Sequence, residues 1–173
     1  AFTDNNQHIH MLGWQRNELG GSEYMKVVKG KLAGDAPFID LDEEVRLQKL
    51  TLELIRDGIA ACAHDCAEGG LLVALAEMSM GNGIGADIAF PFEKHAGHLF
   101  GEAQSRIIIS AAPSQRDEIR SRCEAASVPF VTLGTTGGNR FVVADLVDCS
   151  VEDLRESYEG ALPRIMASSL TPA

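Results

Sequence analysis

The segment from Gly69 to Met80 constrains the fold more than any other part of this chain. It begins with two glycines and continues as a helix with apolar side chains on nearly every face: Leu71, Leu72, Val73, Leu75 and Met78. A helix that is apolar all round is buried in a protein interior. We therefore expect this helix at the centre of the fold, directly after a buried strand over residues 59–64. A chain of 173 residues can build a core of that size without disulfide or metal support.

The remaining patterns mix strands and helices without regular alternation. We predict further strands at residues 8–13, 84–90, 107–109, 130–134 and 140–143, and further helices after Ser22 and Asp40 and over residues 96–100, 115–126 and 151–166. Thr135 to Asn139 predict a hairpin between the last two strands, and Glu43 a capping-box partner for Asp40. This order indicates an α+β fold, a mixed sheet packed with helices. Residues 17–173 form the predicted domain, and residues 1–16 a linker or the remnant of a preceding domain.

Composition narrows the classes of partner. The chain carries 15 basic and 25 acidic residues, a net charge of −10, which disfavours binding to nucleic acid and to anionic membranes. No apolar run is long enough to span a membrane. We expect the four cysteines to be free thiols in a cytoplasmic protein. Cys62, His64 and Cys66 lack a fourth ligand nearby, so we predict no metal site.

The loop between the central strand and the central helix is the first candidate binding segment. It contains His64, Asp65, Glu68, Gly69 and Gly70. Glycines let the backbone approach a ligand closely, and a helix N-terminus suits a phosphate. The same residues also fit a purely structural role, with Asp65 as a helix cap and Glu68 interacting favourably with the helix dipole.

Two other loops offer comparable groups. Glu102, Gln104, Ser105 and Arg106 precede a strand, and the arginine could bind a phosphate through two hydrogen bonds. The alternative is a solvated loop with a surface ion pair of small energy. The run Gly20, Gly21 and Ser22 is either an anion-binding nest or a helix entry. These patterns define contact loops for an anion but no reaction.

Seven segments in these loops and elsewhere resemble the second carboxyl-terminal domain of the phosphoribosylformylglycinamidine synthases (subunit II type), whose fold is that of the AIR synthase carboxyl-terminal domains. They occur in family order over nearly the whole chain: Glu18-Leu19-Gly20-Gly21-Ser22-Glu23-Tyr24, Gly34-Asp35-Ala36-Pro37, Ala63-His64-Asp65 with Glu68-Gly69-Gly70-Leu71, Leu75-Ala76-Glu77-Met78, Gly81-Asn82-Gly83-Ile84-Gly85-Ala86, Leu99-Phe100-Gly101-Glu102-Ala103-Gln104-Ser105-Arg106, and Ala161-Leu162-Pro163-Arg164-Ile165-Met166. Two departures stand out. Ala103 occupies a position where serine is common, and Cys66-Ala67 replace a more polar pair.

The resemblance implies a function for a longer enzyme. Such enzymes use ATP and Mg²⁺ to convert formylglycinamide ribonucleotide and glutamine-derived ammonia to the amidine in purine biosynthesis. They act with a glutaminase subunit and a small accessory subunit. The metal ligands and the proposed catalytic histidine lie in amino-terminal domains that this chain lacks. The resemblance therefore implies a fragment that is inactive alone, with no catalytic residue and no bound cofactor, whose first partner is the rest of its own polypeptide.

The resemblance also assigns a place to the loop before the strand. By internal symmetry of these enzymes, Glu102, Gln104, Ser105 and Arg106 face a second, auxiliary nucleotide site. Exposed strand edges would favour a homodimer. Two alternatives stay open at this point. One is another member of the superfamily, such as AIR synthetase, selenophosphate synthetase, thiamine-phosphate kinase or a hydrogenase-maturation dehydratase. The other is a non-catalytic binding or assembly module.

Overall fold

A computed structural model describes residues 1–169 as seven strands, seven α-helices and one 3₁₀ turn at Pro113–Gln115. The predicted domain runs to residue 173, and its last four residues lie outside the described part. The strands are β1 His8–Gly13, β2 Cys62–Asp65, β3 Ala86–Ile88, β4 Arg106–Ala111, β5 Phe130–Thr136, β6 Arg140–Val143 and β7 Val147–Ser150. The helices are α1 Glu23–Lys29, α2 Leu41–Arg56, α3 Gly70–Asn82, α4 Ala96–Phe100, α5 Arg116–Ala126, α6 Val151–Glu159 and α7 Ala161–Ser169.

All seven strands belong to one sheet, in the order β2-β4-β1-β5-β3-β6-β7. Neighbouring strands are antiparallel, except that β3 and β6 run parallel. The predicted α+β fold with a mixed sheet is therefore confirmed.

Apolar side chains fill both faces of the sheet. The core that contains α3 includes Ile9 and Met11 of β1, and the core under α2 and α5 includes Leu12 of the same strand. This division follows from the period of two along a strand, which sends alternate side chains to opposite faces. The predicted central position of α3 is confirmed, because five of its apolar residues are buried: Leu71, Leu72, Ala74, Leu75 and Met78.

Two parts of the first sixteen residues, Phe2 and strand β1, pack in this core. Strand β1 lies between β4 and β5, and Phe2 is fully buried. An interior strand forms backbone hydrogen bonds along both edges, so the sheet would be split without it. The predicted boundary at residue 16 stays a prediction, although β1 before it is part of the sheet. That this segment also continues a preceding ATP-binding domain stays a prediction.

The predicted hairpin between β5 and β6 is wrong. Strand β3 lies between them, and the glycine turn that joins them exchanges backbone hydrogen bonds with Gly85 instead. The turn signal was local, whereas β3 comes from a segment more than 40 residues earlier in the chain. The sequence patterns also missed β7, which pairs with β6. The last predicted helix divides into α6 and α7 at Gly160.

Helix α2 begins as predicted, but its cap differs in one detail. Asp40 accepts hydrogen bonds from the amides of Asp42 and Glu43. The Glu43 carboxylate does not complete a capping box, because it forms an ion pair with Arg16. The ion pair fixes the chain that leaves β1 against the start of α2.

Strand β1 also buries a titratable group, His10. Its ring is fully buried against Phe130, its Nδ1 lies 3.1 Å from the Thr132 hydroxyl, and its Nε2 has no hydrogen-bond partner. Burial lowers the pKa of His10 from 6.5 to about 4, with smaller contributions from the charges of His8 and Arg116. The folded protein therefore holds this imidazole neutral over the whole physiological pH range.

His10 should make the fold sensitive to acid. The unfolded chain binds a proton at His10 below pH 6.5, whereas the folded chain does so only near pH 4. The free energy of unfolding therefore falls as the pH is lowered from 6.5 to about 4. The loss is expected to reach up to about 3 kcal/mol. Urea denaturation at several pH values measures it. His10→Gln should remove most of the loss, while His95→Gln, a change at an exposed histidine, should retain it. Equal losses in the native chain and His10→Gln would contradict this assignment.

Candidate functional site

Three glycine-containing loops meet at the end of the sheet where β2 ends and β4 begins, and one carboxylate joins them. Glu102 Oε1 accepts a hydrogen bond of 2.8 Å from the amide of Glu23 and one of 2.9 Å from the amide of Gly69. The predicted loops around residues 20–22, 64–70 and 101–106 are therefore neighbours. The position between two helix starts that we expected for a ligand anion is filled by a side chain of the protein itself.

The loop at Gly20, Gly21 and Ser22 is a helix entry. The Gly21 amide donates to the Ala33 carbonyl, and the Ser22 amide to the Leu19 carbonyl. The Ser22 hydroxyl caps α1 by accepting from the Met25 amide. Because these amides already have acceptors, the arrangement corresponds to the structural alternative.

Gly70 provides close packing between two of the loops. Its φ is 72°, and a Cβ at this position would lie 2.5 Å from the Gly101 carbonyl oxygen. Only glycine combines this backbone conformation with so short an approach. The residue thus permits the start of α3 to contact the loop that carries Glu102.

Arg106 is buried beneath the same loop. The residue is 2% exposed. Its Nε, Nη1 and Nη2 atoms donate to the carbonyls of Ala103, His98 and Gly101, respectively. Burial lowers the pKa of Arg106, although a guanidinium stays charged at any physiological pH. The charge is therefore used to hold the loop from residue 98 to residue 103 against β4.

Ser105 and Gln104 line a cavity of about 290 Å³ between the loop and α2. Ser105 adopts a φ of 60° and donates from its hydroxyl to Glu44 Oε2 at 2.6 Å. Gln104 is exposed and donates to the Glu102 carbonyl at 3.3 Å. Glu44 was not anticipated as a site residue, because nothing in a helical sequence pattern links it to a serine 61 residues away.

Asp65 lies at the rim of this cavity, while His64 points to the other side of the sheet. Asp65 has 75% of its side chain exposed. The His64 Nδ1 lies 2.7 Å from the Asp65 carbonyl oxygen, and its Nε2 lies 3.5 Å from the Glu77 carboxylate on α3. Glu68 is exposed in the turn before α3. The predicted residues therefore divide between two surfaces, and Glu77 is a partner that the sequence pattern did not reveal.

The chemistry of the cavity is that of an acidic pocket. Glu44 and Asp65 contribute carboxylates, and Arg106 donates to backbone carbonyls from below. Burial raises the pKa of the neighbouring Cys66 thiol to about 12, which keeps it protonated and unreactive. Among residues 1–169 we find no group of three histidine, cysteine or acidic side chains arranged to hold a metal ion. A membrane-crossing helix is likewise not found among them.

The fold and this loop cluster define a class of protein: an α+β domain whose mixed sheet carries glycine-rich loops cross-linked at one end. Residues 8–145 match the family described as AIR synthase related protein, C-terminal domain, and the chain belongs to that family.

Curated proteins similar to this chain include proteins named phosphoribosylformylglycinamidine synthase subunit PurL. The protein from Symbiobacterium thermophilum is 40% identical over 91% of this chain and 23% of its own length. The protein from Brucella ovis is 40% identical over 93% of this chain and 22% of its own length. The chain thus spans under a quarter of these relatives.

Solved structures support the fold. Thermotoga maritima PurL complexed with FGAR superposes with a TM-score of 0.72, 18% identity and coverage of 88% of this chain and 28% of that one. PurL complexed with ATP and the PurLQS structure, from the same organism, give TM-scores of 0.66 and 0.67, at 18% and 19% identity. Each of these two covers 88% of this chain and 26% of the PurL chain.

Removal of the Glu102 carboxylate should loosen all three loops. Glu102→Ala leaves the amides of Glu23 and Gly69 without their acceptor, and we expect a loss of about 2 kcal/mol in the free energy of unfolding. Glu102→Gln keeps an acceptor oxygen and should cost about 1 kcal/mol. Glu93→Ala, at an exposed carboxylate, is the control. Urea denaturation measures the free energy of unfolding of each variant. An unchanged free energy in Glu102→Ala would contradict the role of this carboxylate in joining the loops.

Arg106 should be required for stability. Arg106→Ala removes the donors for three loop carbonyls and is expected to destabilise the fold by about 3 kcal/mol. The control is Arg140→Ala, since Arg140 pairs with Asp148 at the surface and should contribute less than about 1 kcal/mol. Thermal unfolding followed by circular dichroism compares the two. If Arg106→Ala is as stable as the native chain, the prediction is wrong. The arginine would then serve a contact outside this chain.

Proposed function

We propose that this chain is the second carboxyl-terminal domain of a phosphoribosylformylglycinamidine synthase, the ligase that forms an amidine in purine biosynthesis. The observation that carries the proposal is 40% identity to PurL proteins over more than nine-tenths of the chain. The alternatives within the superfamily are less well supported, because the thiamine-monophosphate kinase from Stenotrophomonas maltophilia gives a TM-score of 0.55 at 21% identity.

The proposed contribution of this domain is structural support for a reaction carried out elsewhere in the polypeptide. ATP and Mg²⁺ would serve the complete enzyme, and ATP-bound Thermotoga maritima PurL is consistent with the nucleotide. The groups present here do not by themselves fit a triphosphate. Two carboxylates line the cavity, and the guanidinium and the Gly69 amide are engaged internally. We therefore derive no chemical step through ATP on this chain.

Two of the predicted contact residues remain suited to a ligand held mainly by another domain. Asp65 and Gln104 are exposed at the cavity between α2 and the loop. Each has one partner within the domain, since Gln104 donates to the Glu102 carbonyl and the Asp65 carboxylate lies 3.6 Å from His64, but both side chains are exposed, whereas Ser105 and Arg106 are buried. We assign them to contacts at the auxiliary site of the complete enzyme.

The proposed partners follow from the same assignment. The first is the rest of the parent polypeptide, because the chain covers less than a quarter of its PurL relatives. The others are a glutaminase subunit and a small accessory subunit; the PurLQS structure from Thermotoga maritima supports an assembly of PurL with other subunits. The complete enzyme would work in the cytoplasm, where the four free thiols of the described chain stay reduced.

An exchange of domains tests the function. We expect the isolated chain to form no amidine from the ribonucleotide, ammonia, ATP and Mg²⁺. In contrast, Brucella ovis PurL with its matching segment replaced by this chain should retain ATP-dependent amidine formation. The same chimera with Gly70→Val should lose at least about a hundredfold in kcat/KM, since the side chain cannot fit against Gly101.

Two outcomes would overturn the proposal. One is amidine formation by the isolated chain. The other is a chimera that folds, as judged by circular dichroism and gel filtration, and yet has no more activity than PurL lacking this segment.

A further inference from the structure

The segment around the start of α4 carries two histidines whose rings lie side by side. His95 and His98 are three residues apart in sequence, and their ring centroids are 5.5 Å apart, with the ring planes inclined by 54°. His95 is exposed and His98 is half-buried. Both side chains lie outside the cavity that Ser105 and Gln104 line. We name these two residues the histidine pair.

A single residue, Glu93, holds one nitrogen of each ring. Its Oε2 atom lies 2.6 Å from His95 Nε2, and its backbone carbonyl oxygen lies 2.8 Å from His98 Nδ1. Both oxygens are hydrogen-bond acceptors, so each of these two nitrogens carries a proton. In the neutral rings, His95 Nδ1 and His98 Nε2 are then the nitrogens with a free lone pair. Each ring therefore offers one atom that can bind a metal ion.

Histidines that bind metal ions in proteins are held in the same way. Such a histidine donates its second ring N–H to a carboxylate or a backbone carbonyl, which fixes the tautomer and the orientation of the ring. Phe92 restrains His98 further, since the two rings meet edge to face at a centroid distance of 5.8 Å. The spacing of the pair also fits one shared ion. With Zn–N bonds of about 2.0–2.1 Å, two imidazoles on a tetrahedral zinc have centroids roughly 5 Å apart.

We propose that His95 and His98 bind one divalent transition cation of the Zn²⁺ type. Imidazole nitrogens suit these ions, whereas Mg²⁺ and Ca²⁺ take oxygen ligands. The chain supplies two ligands, and water completes the coordination shell. A site of two side chains differs from a group of three, which residues 1–169 do not contain. The proposal departs from the sequence-based prediction of no metal site, which was made from Cys62, His64 and Cys66.

The charges around the histidine pair suit a cation. Glu93 places a carboxylate beside His95, and the chain as a whole carries a net charge of −10, which attracts cations. The neighbouring ammonium group of Lys94 is engaged elsewhere. It donates to the Ala144 carbonyl at 2.6 Å and to the Asp145 carboxylate at 3.2 Å. Its positive charge is therefore paired with a carboxylate of its own.

A bound ion would reinforce the segment that supports the loop cluster. The His98 carbonyl accepts a hydrogen bond of 3.2 Å from Arg106 Nη1, so His98 connects the histidine pair to the guanidinium beneath the loop. The folded chain holds the two rings at a fixed spacing, whereas the unfolded chain does not. Since a ligand that binds the folded state more tightly stabilises it, the ion should raise the melting temperature.

Isothermal titration calorimetry of the 173-residue chain with Zn²⁺, in a buffer containing excess Mg²⁺, tests the site. We expect a site of micromolar affinity, and His95→Gln and His98→Gln should each raise its dissociation constant at least about tenfold. The matched control is His64→Gln, because His64 is a partly exposed histidine whose neighbours are the carboxylates of Asp65 and Glu77. This control should retain the native affinity. Circular dichroism in EDTA monitors folding, and His95→Gln at the exposed position decides if His98→Gln unfolds.

Two further measurements separate the histidine pair from the four free thiols, which also bind Zn²⁺. In ¹⁵N NMR spectra of the histidine rings, Zn²⁺ should shift Nδ1 of His95 and Nε2 of His98. Zn²⁺ should also raise the melting temperature of the native chain more than that of His95→Gln.

Four results would overturn the proposal. They are a native dissociation constant above about 1 mM, an unchanged affinity in His95→Gln, an equal loss of affinity in His64→Gln, and Zn²⁺-induced shifts confined to other ring nitrogens.

Discussion

The hydrogen bonds of the Glu102 carboxylate are the contacts on which the loop cluster at one end of the sheet depends. One oxygen accepts from the amides at the starts of two helices, and the buried Arg106 guanidinium holds the backbone that carries it. Charged acceptors on helix-terminal amides are among the stronger hydrogen bonds in proteins. Three loops that are remote in sequence are thereby fixed as one unit, and Gly70 allows the close approach that this requires.

This arrangement changes the interpretation of the glycine-rich motifs. Amides near glycines and an arginine are the groups that bind phosphate, so the sequence alone favours a ligand and a structural role about equally. The difference lies in geometry. A carboxylate supplied by the chain accepts from the amides of Glu23 and Gly69, and backbone carbonyls accept from all three guanidinium nitrogens of Arg106. The motifs therefore hold the end of the sheet in one arrangement through contacts within the chain.

Much of the fold could be predicted because local signals agreed with the final packing. The apolar α3, the Asp40 cap and most strands follow from periodicity and capping residues. Two of the errors come from contacts between segments far apart in sequence. The insertion of β3 beside β5 and the Glu44–Ser105 bond both depend on such contacts. Local patterns identified Arg106 and Glu102 as important but could not tell internal partners from external ones.

The central place of β1 has a consequence for how the chain reaches its native state. Its first residues are made early, but its two neighbours, β4 and β5, follow roughly one hundred residues later. Until then Ile9, Met11 and Leu12 have no sheet to join, and a ribosome has already produced α2 and α3. The sheet therefore assembles late, when β4 and β5 pair with an N-terminal strand that was synthesised first. Any domain placed upstream would be connected to the middle of the sheet.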